Sequence, residues 1–285
     1  MADKPQTESG YAREDTKLVM SATLTVASIL GDLLEDLCIV GGLVPTLLID
    51  VPGGSATNDA HCGTNDLDVG LALAIFEEGR YKEIADRLRR ADFVHDERDG
   101  NPIVQRWRWG DLEVTIDFLI PPVEDAQRGG QIKHLEGGFG AIVAPGLELA
   151  FDEREPIELD GTTLEGDRAR RTVPVCGPGA YTVLKAFAFR LRRERKDAYD
   201  LDYVLAHWPA GARDVATRLV SHAERYREIV STALGYLRDD YATIDHLGPR
   251  SCARFRDTGD EDAATADARG RVDDLLRACE AVGVR

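Results

Sequence analysis

The 285-residue sequence has no CxxC pair, and its cysteines are five, an odd number. Cys38, Cys62, Cys176, Cys252 and Cys279 are scattered, which excludes a disulfide scaffold and a zinc ribbon. No apolar run is long enough to span a bilayer. The first fifteen residues are polar and charged and hold no apolar leader core. The expectation is a cytoplasmic chain in a reducing compartment, with no membrane contact. Basic residues are in short supply: 35 Lys and Arg stand against 51 Asp and Glu, a net charge of −16. That balance argues against coating nucleic acid by bulk electrostatics. It leaves room for a local basic groove, and it suits a site that gathers divalent cations on carboxylate oxygens.

With 43% hydrophobic and 30% charged residues the chain can build a core. It shows no internal repeat and no low-complexity tract. Residues 1–16 read as a flexible N-terminus. The apolar spacing over 17–37 predicts an amphipathic helix. Cys38–Val40 predicts a short strand stopped by Gly41-Gly42, and 43–49 a helix. Residues 51–63 read as loop, 67–75 as a strand and 81–90 as a charged helix. A meander follows at 93–95, 103–109 and 112–120, with Gly110-Asp111 as a hairpin turn. The glycine-rich stretch 123–146 reads as loop. Short strands are expected at 147–151, 157–159 and 172–176. Helices are expected at 178–196, 197–207, 211–237 and 264–281, with a polar break at 248–262. The order predicts an α+β fold: a mixed β-sheet flanked by helices over 17–130, then a mainly helical domain over 131–285.

Three stretches carry chemistry. In Gly63-Thr64-Asn65-Asp66-Leu67-Asp68, strand periodicity turns Asp66 and Asp68 to one face. Adjacent carboxylates repel unless a cation neutralises them, and Mg²⁺ is commonly held by one or two carboxylates plus substrate phosphates. Solvated turn residues at a strand entrance would give the same pattern. In Glu113-Val114-Thr115-Ile116-Asp117-Phe118, Asp117 shares a face with Thr115 and Glu113. An unpaired buried charge is expensive, so Asp117 needs either a metal shared with Asp66 and Asp68 or an ion pair with Arg106 or Arg108. Gly41-Gly42 after a strand lets backbone N–H groups approach a phosphate, or is simply a turn.

The order VGG, then GTNDLDVGL, then VTIDFL resembles the DNA polymerase β-like nucleotidyltransferase superfamily. With LKAFAFRLRRERKDAYDLDYVL downstream it is similar, more narrowly, to the AbiEii/MenT toxins of type IV toxin–antitoxin systems, over about residues 36–210. The resemblance implies two Mg²⁺ ions on Asp66, Asp68 and Asp117, and an NTP whose triphosphate lies at Gly41 and Gly42. Leu43-Val44-Pro45 stands where that family often has serine, so Thr64 or backbone amides would serve instead. It implies Lys185 as a phosphate contact, with Arg190 beside it, and a required downstream acid for which Asp200 is preferred over Asp197. It implies an RNA acceptor, the tRNA 3′ end, and a cognate antitoxin protein. The basic members Arg192, Arg193, Arg195 and Lys196 would then touch RNA; on the residues alone they equally make a solvated helix face.

Fifteen residues of unbroken helix would hold Lys185 and Asp200 about 22 Å apart. A break is therefore expected near 194–196. His61 is weighed as a base or phosphate contact, and Trp107 and Trp109 as base-stacking residues; a packed role is the simpler account of each. Two other readings stay open: a nucleotidyltransferase for a small cationic acceptor, and a non-catalytic binding protein in which the three carboxylates do not converge.

Overall fold

The computed structural model describes residues 4–50, 60–72, 79–112, 114–123 and 129–283. The expected loop at 51–59, the end of the strand at 73–75, Glu113 and residues 124–128 lie outside them. The chain divides into two compact units, Ala12–Val44 with Gly63–Cys176, and Asp3–Tyr11 with Pro45–Cys62 and Gly177–Arg285.

The first unit is built on a mixed sheet. Its strands are β1 (Leu37–Val40), β2 (Asp66–Leu71), β3 (Phe93–Arg98), β4 (Asn101–Trp109), β5 (Thr115–Ile120), β6 (Ile132–His134), β7 (Gly140–Val143), β8 (Arg154–Thr162) and β9 (Arg168–Cys176). The main order is β3-β4-β5-β2-β1-β9-β8, and β7 adds to β5 with β6 beside it. β2 and β5 run parallel, as do β1 and β9; β1 with β2 and β4 with β5 run antiparallel. One face of the central strands is fully apolar: Leu67, Val69, Ile116, Phe118 and Trp107 are buried there. At about 25 cal/mol per Å² of apolar surface, such side chains each contribute roughly 1.5–3 kcal/mol. They fix which face the intervening acids must take. Helices α1 (Arg13–Ile29), α2 (Arg80–Arg90) and α3 (Leu147–Asp152) complete the unit. At Gly70 a Cβ would lie 2.9 Å from Leu147 Cδ1, so the missing side chain makes room for α3.

The first helix ends at Ile29 and gives way to a tight 3₁₀ turn over Gly31–Asp36. Residues 147–151 form helix, not strand: Leu147, Leu149 and Ala150 are all buried, a spacing too short to separate the two periods. The glycine-rich 123–146 segment contains β6 and β7, because Ala141 and Val143 bury themselves beside β5. The division falls at Cys176 rather than near residue 130. The sheet is not finished until β9 pairs with β1.

The second unit is helical: α4 (Pro178–Arg192), α5 (Arg195–His207), α6 (Gly211–Ala223), α7 (Arg227–Asp240), α8 (Leu247–Arg256) and α9 (Glu261–Val282). The expected 211–237 helix is split between α6 and α7, and the expected polar break at 248–262 contains α8. The N-terminal segment is built in rather than loose. Tyr11 packs its ring on Phe255, and Glu8 accepts a 3.0 Å hydrogen bond from the Tyr199 hydroxyl. Among the described residues no helix is long and apolar enough to cross a membrane.

Candidate functional site

In the sheet unit the predicted acids share one face. β2 and β5 are in register with Asp68 opposite Asp117 and Asp66 opposite Thr115. Neighbouring strands lie about 4.8 Å apart, so the Asp68 and Asp117 side chains leave adjacent backbones on the same side. The row continues at both ends. Arg106 of β4 stands opposite Asp117, and Val40 of β1 stands opposite Asp68.

Arg106 grips Asp117 with two bonds, Nε to Oδ1 at 2.8 Å and Nη2 to Oδ2 at 2.5 Å. Asp117 is only 4% exposed. The ion pair weighed from sequence is therefore present. The hydrogen bonds it donates to Asp117 raise the Arg106 pKa; burial opposes this, and the charges of Asp117, Asp66 and Asp68 add to the rise. All three carboxylates thus act on one guanidinium. Among the described residues, no three His, Cys, Asp or Glu side chains are arranged to hold a metal.

The donor set nevertheless fits a hard divalent cation in kind. It offers carboxylate oxygens, which Mg²⁺ prefers, from one sheet face and from strands in register. A second feature supports the fit. Gly41 follows β1 with φ +72°, and a Cβ there would lie 1.8 Å from Asp68 Oδ2. The bare turn is the cradle in which the Asp68 carboxylate sits. Gly41→Ala should cost about 1–2 kcal/mol through the left-handed backbone alone, and it also displaces Asp68. Urea unfolding of the variant checks the first effect.

Thr64, expected as a phosphate contact, is tied to Asp66 and Thr16 of its own chain. Its buried hydroxyl donates to Asp66 Oδ1 at 2.8 Å, and its N–H donates to Thr16 Oγ1 at 3.2 Å. Gly63 is pressed against the same Thr16, with φ +85° and no space for a Cβ. Thr16 on α1 therefore sets the loop that aims Asp66. Its residue type gave no signal of this in the sequence.

In the helical unit the break between Lys185 and Asp200 is where it was expected. Arg193 closes α4 in the left-handed region at φ +57°, and α5 starts at Arg195. The turn brings the two residues into contact. Lys185 Nζ donates to Asp200 Oδ2 at 2.6 Å and to Asp197 Oδ1 at 2.8 Å. Arg192 binds both oxygens of Asp197, and Lys196 reaches Asp200 Oδ1 at 2.7 Å. Lys185, Asp197 and Asp200 are all buried. Burial alone would raise the Asp197 pKa. The charges of Lys185 and Arg192 outweigh it and hold that carboxyl down to about 2. Asp200 is likewise held well below the usual range, with Lys185 and Lys196 overriding its burial.

His61 belongs to this cluster. Its Nε2 lies 2.9 Å from Asp200 Oδ1, its ring is stacked on Tyr199, and Tyr203 meets it edge-on. Burial lowers its pKa to about 4, so at neutral pH it is an uncharged donor to Asp200. Asp50 accepts from the His61 backbone N–H and the Tyr203 hydroxyl.

Arg190, expected at the nucleotide, and the basic residues expected to touch RNA are largely paired with carboxylates. Arg190 and Arg193 both bond Asp240 Oδ1 at 2.7 Å. Arg192 is held by Asp197 and Lys196 by Asp200, as above. Arg195 is half-buried in the first turn of α5. Trp107 is fully buried, and Trp109 donates its indole N–H to the Ala91 carbonyl; both are packed strand residues rather than stacking platforms.

No family model matches the chain, and no curated protein matches it. A solved structure described as an antigenic nucleotidyltransferase-like protein from Paracoccidioides brasiliensis is similar over 79% of this chain and 94% of that chain. The identity is 14% and the TM-score 0.36.

Proposed function

We propose that the chain is a Mg²⁺-dependent nucleotidyltransferase that moves a nucleoside monophosphate from an NTP to an acceptor hydroxyl. The observation that carries this reading is the register of Asp68 opposite Asp117, with Asp66 on the same face and the Gly41 turn against Asp68. Asp66, Asp68 and Asp117 would hold the ions. Magnesium, when bound there, supplies positive charge against the phosphate oxygens and lowers the pKa of an acceptor hydroxyl.

The residues divide the remaining work. Thr64 orients Asp66, and Gly41 leaves Asp68 its place. Asp117 takes the acceptor's proton; the acceptor oxygen bonds to the α-phosphorus, the bond to the β-phosphate oxygen breaks, and pyrophosphate leaves. In the helical unit Lys185 spends two of its three N–H donors on Asp197 and Asp200. On the resemblance, Lys185 would also contact a phosphate oxygen, a charge-assisted contact. On the resemblance, the acceptor is RNA, the tRNA 3′ end. The protein is then the toxin of a type IV system in the cytoplasm, restrained by a cognate antitoxin.

The pairing of Arg190, Arg192, Arg193 and Lys196 with carboxylates favours a second reading, in which the acceptor is a small cation rather than RNA. Such a molecule suits a chain of net charge −16. Incubation with Mg²⁺ and each labelled NTP in turn, with total RNA or with an aminoglycoside, separates the two. Label in tRNA supports the first acceptor and label in the drug the second. Label in neither, with every NTP, counts against transfer itself.

A further inference from the structure

Three carboxylates on one sheet face repel one another unless positive charge offsets them, and Arg106 brings such a charge to this face. Its fork takes both oxygens of Asp117, and the two side chains are 15% and 5% exposed. A bidentate pair of this kind is among the stronger hydrogen-bonded contacts a protein makes. It is also permanent in charge, because arginine does not lose its proton in proteins. The guanidinium must therefore be displaced before both Asp117 oxygens can serve another cation. A ligand that needs a state the protein seldom occupies has its apparent affinity reduced in proportion.

We propose that Arg106 is the resident counter-ion of this face and competes with a divalent cation for Asp117, so that it sets the cation concentration at which the face fills. The inference rests on the reading of Asp66, Asp68 and Asp117 as a cation site. Geometry on both sides of Asp117 supports it. Asp68 lies opposite on β2 and Arg106 opposite on β4, so a cation held by Asp68 and Asp117 and the Arg106 fork would claim the same oxygens from opposite sides. The pair also protects the unloaded protein, since a buried carboxylate without a partner is costly. Loss of Arg106 should therefore do two things at once: weaken the metal-free protein and strengthen its hold on the cation.

Direct titration with Mn²⁺, followed by the electron paramagnetic resonance of the free ion, tests this on the full chain. Arg106→Gln should bind Mn²⁺ at least tenfold more tightly than the wild type. Its melting temperature should start lower and rise further as Mn²⁺ is added. Equal affinity in wild type and Arg106→Gln, with binding lost in Asp68→Asn, overturns the competition and leaves the cation site standing. No Mn²⁺ binding at millimolar concentration by any of the three overturns the cation site, and the competition with it. Should Arg106→Gln not fold, Arg106→Lys keeps the charge and loses the fork. It should bind Mn²⁺ about threefold more tightly than the wild type, and equal binding by this variant overturns the proposal.

Discussion

Asp68→Asn should lower nucleotidyl transfer by about 10³-fold or more while leaving the fold intact. Stabilisation of charge at a phosphoryl centre is worth several kcal/mol, and each 1.36 kcal/mol is a factor of ten in rate. Asp68 is placed to have the largest effect of the three acids because it is the middle member of the row. It has Asp117 opposite on one neighbouring strand and Val40, leading into the Gly41 turn, opposite on the other. The substitution keeps the side chain's shape against the Gly41 backbone, so a folding defect is not expected. Asp117→Asn removes an anion that Arg106 holds, and should therefore lose stability as well as rate. A comparison of single-turnover rates with urea midpoints separates them: Asp68→Asn moves the first alone, and Asp117→Asn moves both. If Asp68→Asn transfers label as fast as the wild type, the carboxylate face is not the site of chemistry.

The parts of this site that lie within one strand were legible in the sequence. A period of two puts Asp66 and Asp68 on one side, and the apolar Leu67 and Val69 decide which side is buried. The break between α4 and α5 was legible too, since a straight helix would have kept Lys185 and Asp200 apart. What joins separate strands was not. Nothing local says that Asp68 stands opposite Asp117 rather than Thr115, because parallel register is set by packing across the sheet. Arg106 was one of two candidate partners, and only the antiparallel pairing of β4 with β5 chooses it over Arg108. His61 lies 139 residues from Asp200, in a loop whose sequence reads only as polar and turn-rich. Its role comes from two tyrosines on α5 that clamp the ring. The basic character of α4 and α5 was read correctly as a run of charges. Its meaning changed because the neutralising acids Asp239 and Asp240 come from α7, far along the chain.

Lys185→Met should destabilise the helical unit by about 3 kcal/mol at neutral pH. Breaking one member out of a buried ion pair costs about 3–5 kcal/mol, because a charge is left without compensation. The lower end applies here, since Asp197 keeps Arg192 and Asp200 keeps Lys196 after the lysine is gone. The cost should depend on pH in a defined direction. In the wild type the Asp197 pKa is about 2, below the 3.9 typical of an unfolded chain. The stability it contributes is present above pH 3.9 and is lost as the pH falls towards 2. His61 acts at milder acidity. Its pKa of about 4 lies below the unfolded value near 6.5, so the unfolded chain binds a proton that the folded chain refuses. The wild type should therefore begin to lose stability below about pH 6.5, first through His61 and then through the aspartates. In Lys185→Met the two carboxylates are less well compensated and take up protons earlier in the descent. The gap between variant and wild type should shrink between pH 7 and pH 4, read as urea midpoints at each pH. A gap that stays constant across that range would mean that Lys185 stabilises the unit by packing its alkyl chain, and not by holding Asp197 and Asp200 charged.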